Sequence, residues 1–341
     1  MFDFRLETEV IFKDRCIFCG ACVTVCDKIR MDREAEAAEF DQVCASVAEK
    51  CLDICPRLSL DVQSLETSLF GEQRTDLALG VYKKTVRARS KDSEIVKRAQ
   101  SGGVVSSLLI SALENGIIDA AVVTSSDFTK GENPYPIVAN SKEDILAASG
   151  SKYTPCPVIL GLKQAVDQGY QRIAFVGLPC HIEALRKLQT SQFDIMDMNR
   201  VSLVIGLFCC ESFSHSAFMQ ISKAIVGDEK IWKFDIKGSK FYIYTDTRTH
   251  TIPLKRIDTY ARNACKECLD YSAELADLSV GSVGSPDGYS SIIIRSEHGL
   301  QVVNSAAKQG YIEIQDMNPK DIDTIRQQAA KKRKAGVQES Q

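Results

Sequence analysis

Apolar and polar positions along this chain switch between two periods. "VYKKTVRARS" alternates, with its basic residues on one face, and predicts a strand. "SEIVKRAQSGGVVSSLLISALENG" spaces its apolar residues by three and four on either side of a glycine pair, which predicts helix, break, helix. "IDAAVVTSS" is a strand. "SKEDILAAS" opens as a capped helix, with Ser141 ahead of Glu143 and Asp144. "PVILGLKQAVDQG" is helical, "RIAFVGLPC" a strand, "HIEALRKLQ" a helix and "RVSLVIGLFCC" another strand. Strands alternating with helices predict an α/β body with a mostly parallel sheet. Sites in such folds gather on loops at the C-terminal ends of strands. A more β-rich patch follows, "WKFDIKGSKFYIYTDTRTHTIPL", with period-two alternation around a Lys-Gly-Ser turn. The end, "QQAAKKRKAGVQESQ", is basic and then polar, the end of a helix followed by a disordered terminus.

A length of 341 residues suits about two domains. The polar connector "SLETSLFGEQRTDLALG" divides residues 1–77 from a body at 78–325, with a basic and polar tail at 326–341. With 44% hydrophobic and 26% charged residues, the composition is that of a globular protein. A net charge of −3 offers no footprint for nucleic acid. No apolar run approaches the ~18 residues of a membrane span, and "MFDFRLETEVIFKDR" mixes acids and bases too early for a signal peptide. These features predict a cytoplasmic protein.

Thirteen cysteines change the picture. Disulfides would not persist in a reducing cytosol, which leaves metal, redox chemistry or plain buried thiols. "CIFCGACVTVC" sets Cys16, Cys19, Cys22 and Cys26 at C-x2-C-x2-C-x3-C, the run of bacterial ferredoxins. Gly20 relieves crowding where the backbone would wrap a cluster. A structural zinc site would instead use two separated pairs. In "DQVCASVAEKCLDICPR", Cys51, Cys55 and Pro56 repeat the C-x3-C-P ending, so Cys55 completes a 4Fe–4S cluster with Cys16, Cys19 and Cys22. A second cluster would draw on Cys26, Cys44 and Cys51. That is one thiolate short, with Asp41 at C-x2 spacing before Cys44; otherwise these three thiols are spare.

The body carries Cys156, Cys180, Cys209, Cys210, Cys265 and Cys268. Cys180 and Cys209 each follow an apolar run, at predicted strand ends. The pair "CKEC" suits zinc, iron or a redox dithiol. Four thiolates from three loops are enough for one more cubane. Two stretches are rich in small residues, "QSGG" at 100–103 and "GSVGSPDGYSS" at 281–291. Neither is the dinucleotide fingerprint. Each either cradles a phosphate on backbone N–H groups or is a plain helix break and turn. The histidines at 181, 215, 250 and 298 form no metal pair, and no triad, Walker loop or carboxylate pair is present.

The stretches "LGVYKKTVRARS", "SGGVVSSLLISALENGIIDAAVV", "SKYTPCPVILGLKQAV", "VGLPCHIEALRK", "IGLFCCESF" and "CKECLDYSAELADLSVGSVGSPDGYSSIIIR" occur in order. Together they resemble the β subunit of the coenzyme F420-reducing hydrogenases and its relatives. The resemblance covers about two-thirds of the chain. It implies FAD and one cubane in the body, and hydride exchange with the deazaflavin coenzyme F420. By it, the body cluster falls to Cys180, Cys209, Cys265 and Cys268, with Cys156 and Cys210 left out. FAD is implied along Ser101, Gly102 and Gly103 and along Gly281, Ser282, Gly284, Ser285, Asp287 and Gly288, with Lys152 and Tyr153 near the flavin or deazaflavin. Lys83, Lys84, Arg87 and Arg89 would meet the acidic tail of F420, or form a solvated strand face. A ferredoxin-like extension ahead of this body looks like the electron-input subunit of archaeal F420H2 dehydrogenases. That likeness implies docking on a membrane-bound, complex-I-like proton pump, from the cytoplasmic side. The expected fold is thus a flavin-binding α/β body with a parallel-rich sheet behind a small ferredoxin-like α+β iron–sulfur domain. Two clusters follow, or three if the second N-terminal one forms.

Overall fold

A computed structural model describes residues 3–41 and 50–339. Cys44, one of the three thiols of the possible second N-terminal cluster, lies outside the described residues. Among the described residues, thirteen strands are numbered in chain order. β1 (Ile29–Asp32) and β2 (Ala37–Phe40) form an N-terminal hairpin. β3 (Lys84–Ser90), β4 (Ala120–Ser125), β5 (Tyr135–Ala139), β6 (Ile173–Gly177) and β7 (Val201–Leu207) belong to the main sheet. β8 (Ile231–Lys237), β9 (Lys240–Thr245) and β10 (Thr249–Pro253) make an antiparallel meander. β11 (Leu278–Gly281), β12 (Ser290–Ile294) and β13 (Ile312–Asp316) complete the main sheet.

The main sheet has eight strands in the order β13-β3-β12-β11-β7-β6-β4-β5. β4, β6, β7 and β11 run parallel at its centre. The flanks are antiparallel: β5 against β4 on one side, and β12, β3 and β13 on the other. The sheet is therefore mixed, where strand–helix alternation predicts a mostly parallel one. The reason is local. A parallel return needs a crossover of a dozen or more residues, and β12 follows β11 through the short loop 282–289.

Alternate residues of the central strands serve opposite faces. Ala121, Val123, Ala174, Val176, Leu203 and Ile205 pack under the helices Val104–Glu114 and Glu297–Lys308. Val122, Ile173, Phe175 and Val204 pack under Val158–Asp167 and Pro179–Thr190. Both faces are covered, which explains why these strands read as continuous apolar runs. The N-terminal segment shares the second core through Ile17, Cys19, Ala21, Ile54 and Leu65. The last helix runs from Pro319 to Glu339, straight through the position 326 at which the sequence suggests a tail. Among the described residues, no helix is long and apolar enough to cross a membrane.

Candidate functional site

Four N-terminal thiols share one space. Cys16, Cys19, Cys22 and Cys55 line a single cavity, together with apolar side chains and Arg57. The loop that carries them bends through positive φ at Phe18 (60°) and Gly20 (85°). A Cβ at Gly20 would stand 2.9 Å from Leu160 Cγ. Gly20 thus serves the approach of the loop to the body, where Cys19 O accepts from Ile159 N at 3.0 Å in the first turn of Val158–Asp167. Burial pushes the Cys19 thiol up to about 12, aided by the charges of Cys16 and Cys55. Burial also lifts Cys22, followed by the fields of Cys19, Cys16, Cys55 and Cys51. Crowded thiols in an apolar wall give up their protons only to a cation that replaces them. Cys26 and Cys51 sit on the same small core but do not line the cavity. Arg57 Nε is buried there without a hydrogen-bond partner. Four thiols and an orphaned N–H donor are the donor set of an iron–sulfur group, although no three His, Cys, Asp or Glu side chains among the described residues converge tightly enough for a single metal ion.

The body cysteines gather at the C-terminal edge of the main sheet. Cys180 follows β6 at the start of the helix Pro179–Thr190, and Cys209 follows β7. Cys265 lies in the short helix Asn263–Lys266, with Cys268 just beyond it. Burial raises the Cys180 thiol, and Cys268 and Cys209 add to it. Cys209 is raised by burial and feels Cys265, Cys268 and Cys210. The four share one electrostatic neighbourhood, although among the described residues no three His, Cys, Asp or Glu side chains converge tightly enough for a single metal ion. Cys156 stands apart in the second core, its thiol pushed up to about 12 by burial. Exposed Cys210 accepts from Gln328 Nε2 at 3.3 Å. His181 is a polar neighbour: its Nδ1 accepts from Leu178 N at 3.3 Å, and burial pushes the ring down to about 4.

The two small-residue loops meet at the same edge. Gly102 N donates to Ser290 Oγ at 3.0 Å, and Ser101 Oγ lies 2.8 Å from it. Three glycines are explained by packing alone. A Cβ would come within 2.6 Å of Ala88 O at Gly102, 2.0 Å of Phe208 Cδ2 at Gly281, and 2.8 Å of Asp321 O at Gly284. Gly103 (φ 71°) begins the helix Val104–Glu114 without a side-chain cap. Gly288 (φ 82°) faces open space. Ser285 Oγ lies 2.7 Å from Ser291 Oγ, exposed Ser282 supplies the carbonyl for Ser285 N at 3.3 Å, and exposed Asp287 sits in the field of Lys237 on β8.

Lys152 and Tyr153 are joined to these loops by Gln100. Gln100 Oε1 accepts from Ser151 N at 3.3 Å, and Gln100 Nε2 donates to Asp235 on β8. Lys152 Nζ donates to the carbonyls of Ala148, Ser149 (3.1 Å) and Gly150 (3.0 Å), closing the end of the helix Lys142–Ala147. Burial holds its ammonium down to about 8. Tyr153 Oη accepts from Ile236 N at 3.1 Å. Lys83, Lys84, Arg87 and Arg89 all face carboxylates, Glu297 (3.0 Å), Asp316 (3.0 Å), Asp321 (3.6 Å) and Glu313 (3.3 Å). This favours a paired strand face over a binding site for an acidic tail.

The structure adds residues that the sequence reading passes over. Ser212 Oγ donates to Tyr153 O at 3.2 Å, and Ser212 N donates to Cys265 Sγ at 3.3 Å. Arg57 Nη2 donates to Ala264 O at 3.0 Å. Lys332, in the supposed tail, donates to Cys209 O at 2.8 Å. Only Arg57 had a signal in sequence, its place directly after the Cys-Pro pair.

Residues 85–163 match the N-terminal part, and 170–320 the C-terminal part, of the coenzyme F420 hydrogenase/dehydrogenase β subunit. The chain belongs to that family. Over 252 residues it is 40% identical to the β subunit of the coenzyme F420 hydrogenase of Methanothermobacter thermautotrophicus, spanning 71% of this chain and 89% of the relative. It is 36% identical over 309 residues to a subunit of the F420H2 dehydrogenase of Methanosarcina mazei, spanning 85% and 82%. A chain of the F420-reducing NiFe hydrogenase complex from Methanosarcina barkeri has the same fold, with a TM-score of 0.72 and 36% identity over 77% of this chain and 92% of that one. The present chain is a member of the family of coenzyme F420 hydrogenase/dehydrogenase β subunits, whose relatives named above belong to F420-linked redox enzymes.

Proposed function

We propose that this chain oxidises reduced coenzyme F420 by hydride transfer to FAD, and that single electrons leave through 4Fe–4S clusters to a partner subunit. In this reading FAD lies along 101–103 and 281–288, beside Lys152 and Tyr153. Cys180, Cys209, Cys265 and Cys268 hold one cluster, and Cys16, Cys19, Cys22 and Cys55 hold the other. Residues 1–77 are the ferredoxin-like outlet and 78–325 the catalytic body. The partner is a membrane-bound, complex-I-like dehydrogenase, as the likeness to a component of an F420H2 dehydrogenase suggests. Flavin supplies the conversion from a two-electron donor to one-electron carriers.

The observation that carries the reading is one continuous line of contacts. Gln100 ties the loop 100–103 to Ser151, next to Lys152 and Tyr153. Ser212 ties Tyr153 to Cys265. Arg57 ties Ala264, the neighbour of Cys265, to the cavity of Cys16, Cys19, Cys22 and Cys55. Three regions far apart in sequence are thereby ordered in space. The chain's own residues orient these groups and exclude water, and no acid–base pair is required.

The packing reasons for Gly102, Gly281 and Gly284 favour one rival, an iron–sulfur relay without flavin. Anaerobic stopped-flow separates the two. Purified, cluster-loaded protein is mixed with reduced F420, with NADH as the control. Bleaching of a flavin band by reduced F420 alone supports the proposal. A protein without a flavin band is the relay.

A further inference from the structure

Arg57 belongs to neither cysteine set alone. It follows Cys55-Pro56 directly in the chain. Its Nε lies buried and unpartnered where the side chain lines the N-terminal cysteine cavity. Its Nη2 is fixed to Ala264 O at 3.0 Å, one residue before Cys265. One guanidinium thus spans the two thiol groups, with a free N–H toward one and a tether in the other. Guanidinium is suited to this because it is planar, always charged and carries five donors.

A second cation approaches the body set from the opposite end of the chain. Lys332 on the helix Pro319–Glu339 donates to Cys209 O at 2.8 Å. Its helix packs on the short helix Asn263–Lys266 that carries Cys265. The two cations therefore differ in placement: Arg57 borders both cysteine regions, whereas Lys332 contacts the body region.

We propose that Arg57 is a positioning residue shared by both clusters, setting their reduction potentials together, and that Lys332 sets the potential of the body cluster alone. This rests on the iron–sulfur reading of both cysteine sets. A cation near a cluster favours the form with one more electron, and an N–H directed at cluster sulfur acts in the same direction. One electron leaves one cluster and one arrives at the other, with no bond made and no proton moved. A shared cation raises both potentials together and leaves the difference between them nearly unchanged. Removing it would lower both.

The test is a potentiometric titration followed by electron paramagnetic resonance, on the full chain, with iron and sulfide assayed in every sample. Arg57→Gln is expected to move the midpoints of both cluster signals to more negative potential. Arg57→Lys, which keeps the charge and loses the fork, moves them less and guards against a folding artefact. Lys332→Gln moves only one signal, the one that Cys268→Ser abolishes. Unmoved midpoints in Arg57→Gln, or a shift in one signal only, would overturn the shared role while leaving the cluster reading intact. A wild-type protein reconstituted with iron and sulfide that holds neither would overturn the cluster reading itself.

Discussion

Lys152 shows how one side chain can carry a structural and a site assignment together. Family resemblance places it near the flavin, whereas its three carbonyl acceptors make it the C-terminal closure of the helix Lys142–Ala147. Its burial has a thermodynamic consequence either way. The ammonium is pushed from 10.5 down to about 8 in the folded protein. Below pH 8 both states bind the proton, and the folded state bears the full cost of burying it. Between about 8 and 10.5 the unfolded chain holds a proton that the folded chain has released, so stability rises with pH across that window. In Lys152→Met this rise is absent. Urea unfolding of both proteins at pH 8 and pH 10 is expected to show the wild type gaining on the order of 2 kcal/mol relative to the variant. Parallel curves at the two pH values would mean that the lysine titrates as an exposed one.

At the scale of an element, the last helix has most to show. Its basic run reads in sequence as the end of a helix leading into a solvated tail, yet Pro319–Glu339 lies against both the connector and the body cysteines. Arg326 pairs with Asp76 at 2.7 Å and Arg333 with Glu274 at 2.5 Å. A Cβ at Gly336 would meet Leu269 Cδ2 at 2.8 Å and Cys268 O at 3.0 Å. Gly336→Val must therefore push the helix from the segment that holds Cys268. Overpacking of this kind costs about 1–3 kcal/mol, and we expect a lower Tm together with loss of about half the bound iron, read by calorimetry and by iron assay. Full iron content at a lower Tm would confine the helix to a packing role. The same helix marks where the sequence stops being legible. Strands β4, β6 and β7 are readable as short apolar runs because both of their faces are buried, and the helices between them by the period that burial of one face leaves. Ser141 was readable as a cap, and its Oγ does accept from Asp144 N at 3.1 Å. Lys332 and Arg333 were not, because a charged residue in a polar run looks the same whether it meets water or a buried carboxylate. The mixed sheet was hidden for a related reason: periodicity identifies strands but carries no information about their direction.

For the whole molecule, the question is whether the two cysteine sets act in series. Spacing alone grouped Cys16, Cys19, Cys22 and Cys55, and the structure brings those four to one cavity. Spacing left Cys180, Cys209, Cys265 and Cys268 open, since they come from three loops, and only resemblance grouped them; the fold sets them at one sheet edge. The contacts through Ser212 and Arg57 then impose an order, in which the body set stands between the small-residue loops and the N-terminal set. An ordered relay and two independent clusters respond differently to single losses. Cys55→Ser is expected to leave the bleaching of flavin by reduced F420 as fast as in the wild type, and the body cluster still reducible by it, while transfer to a soluble one-electron acceptor falls at least tenfold. Cys268→Ser is expected to leave flavin bleaching intact, to abolish the body cluster and to block reduction of the N-terminal one, whose ligands are untouched. Stopped-flow absorbance with freeze-quenched paramagnetic resonance reads each step in the same sample. The decisive result is the N-terminal signal in Cys268→Ser. If reduced F420 still generates it at the wild-type rate, electrons reach Cys16, Cys19, Cys22 and Cys55 by a route that bypasses the body set, and the order drawn from the contacts is wrong. If it is lost, the tether from Cys265 through Ala264 to Arg57 marks the direction in which the fold passes charge.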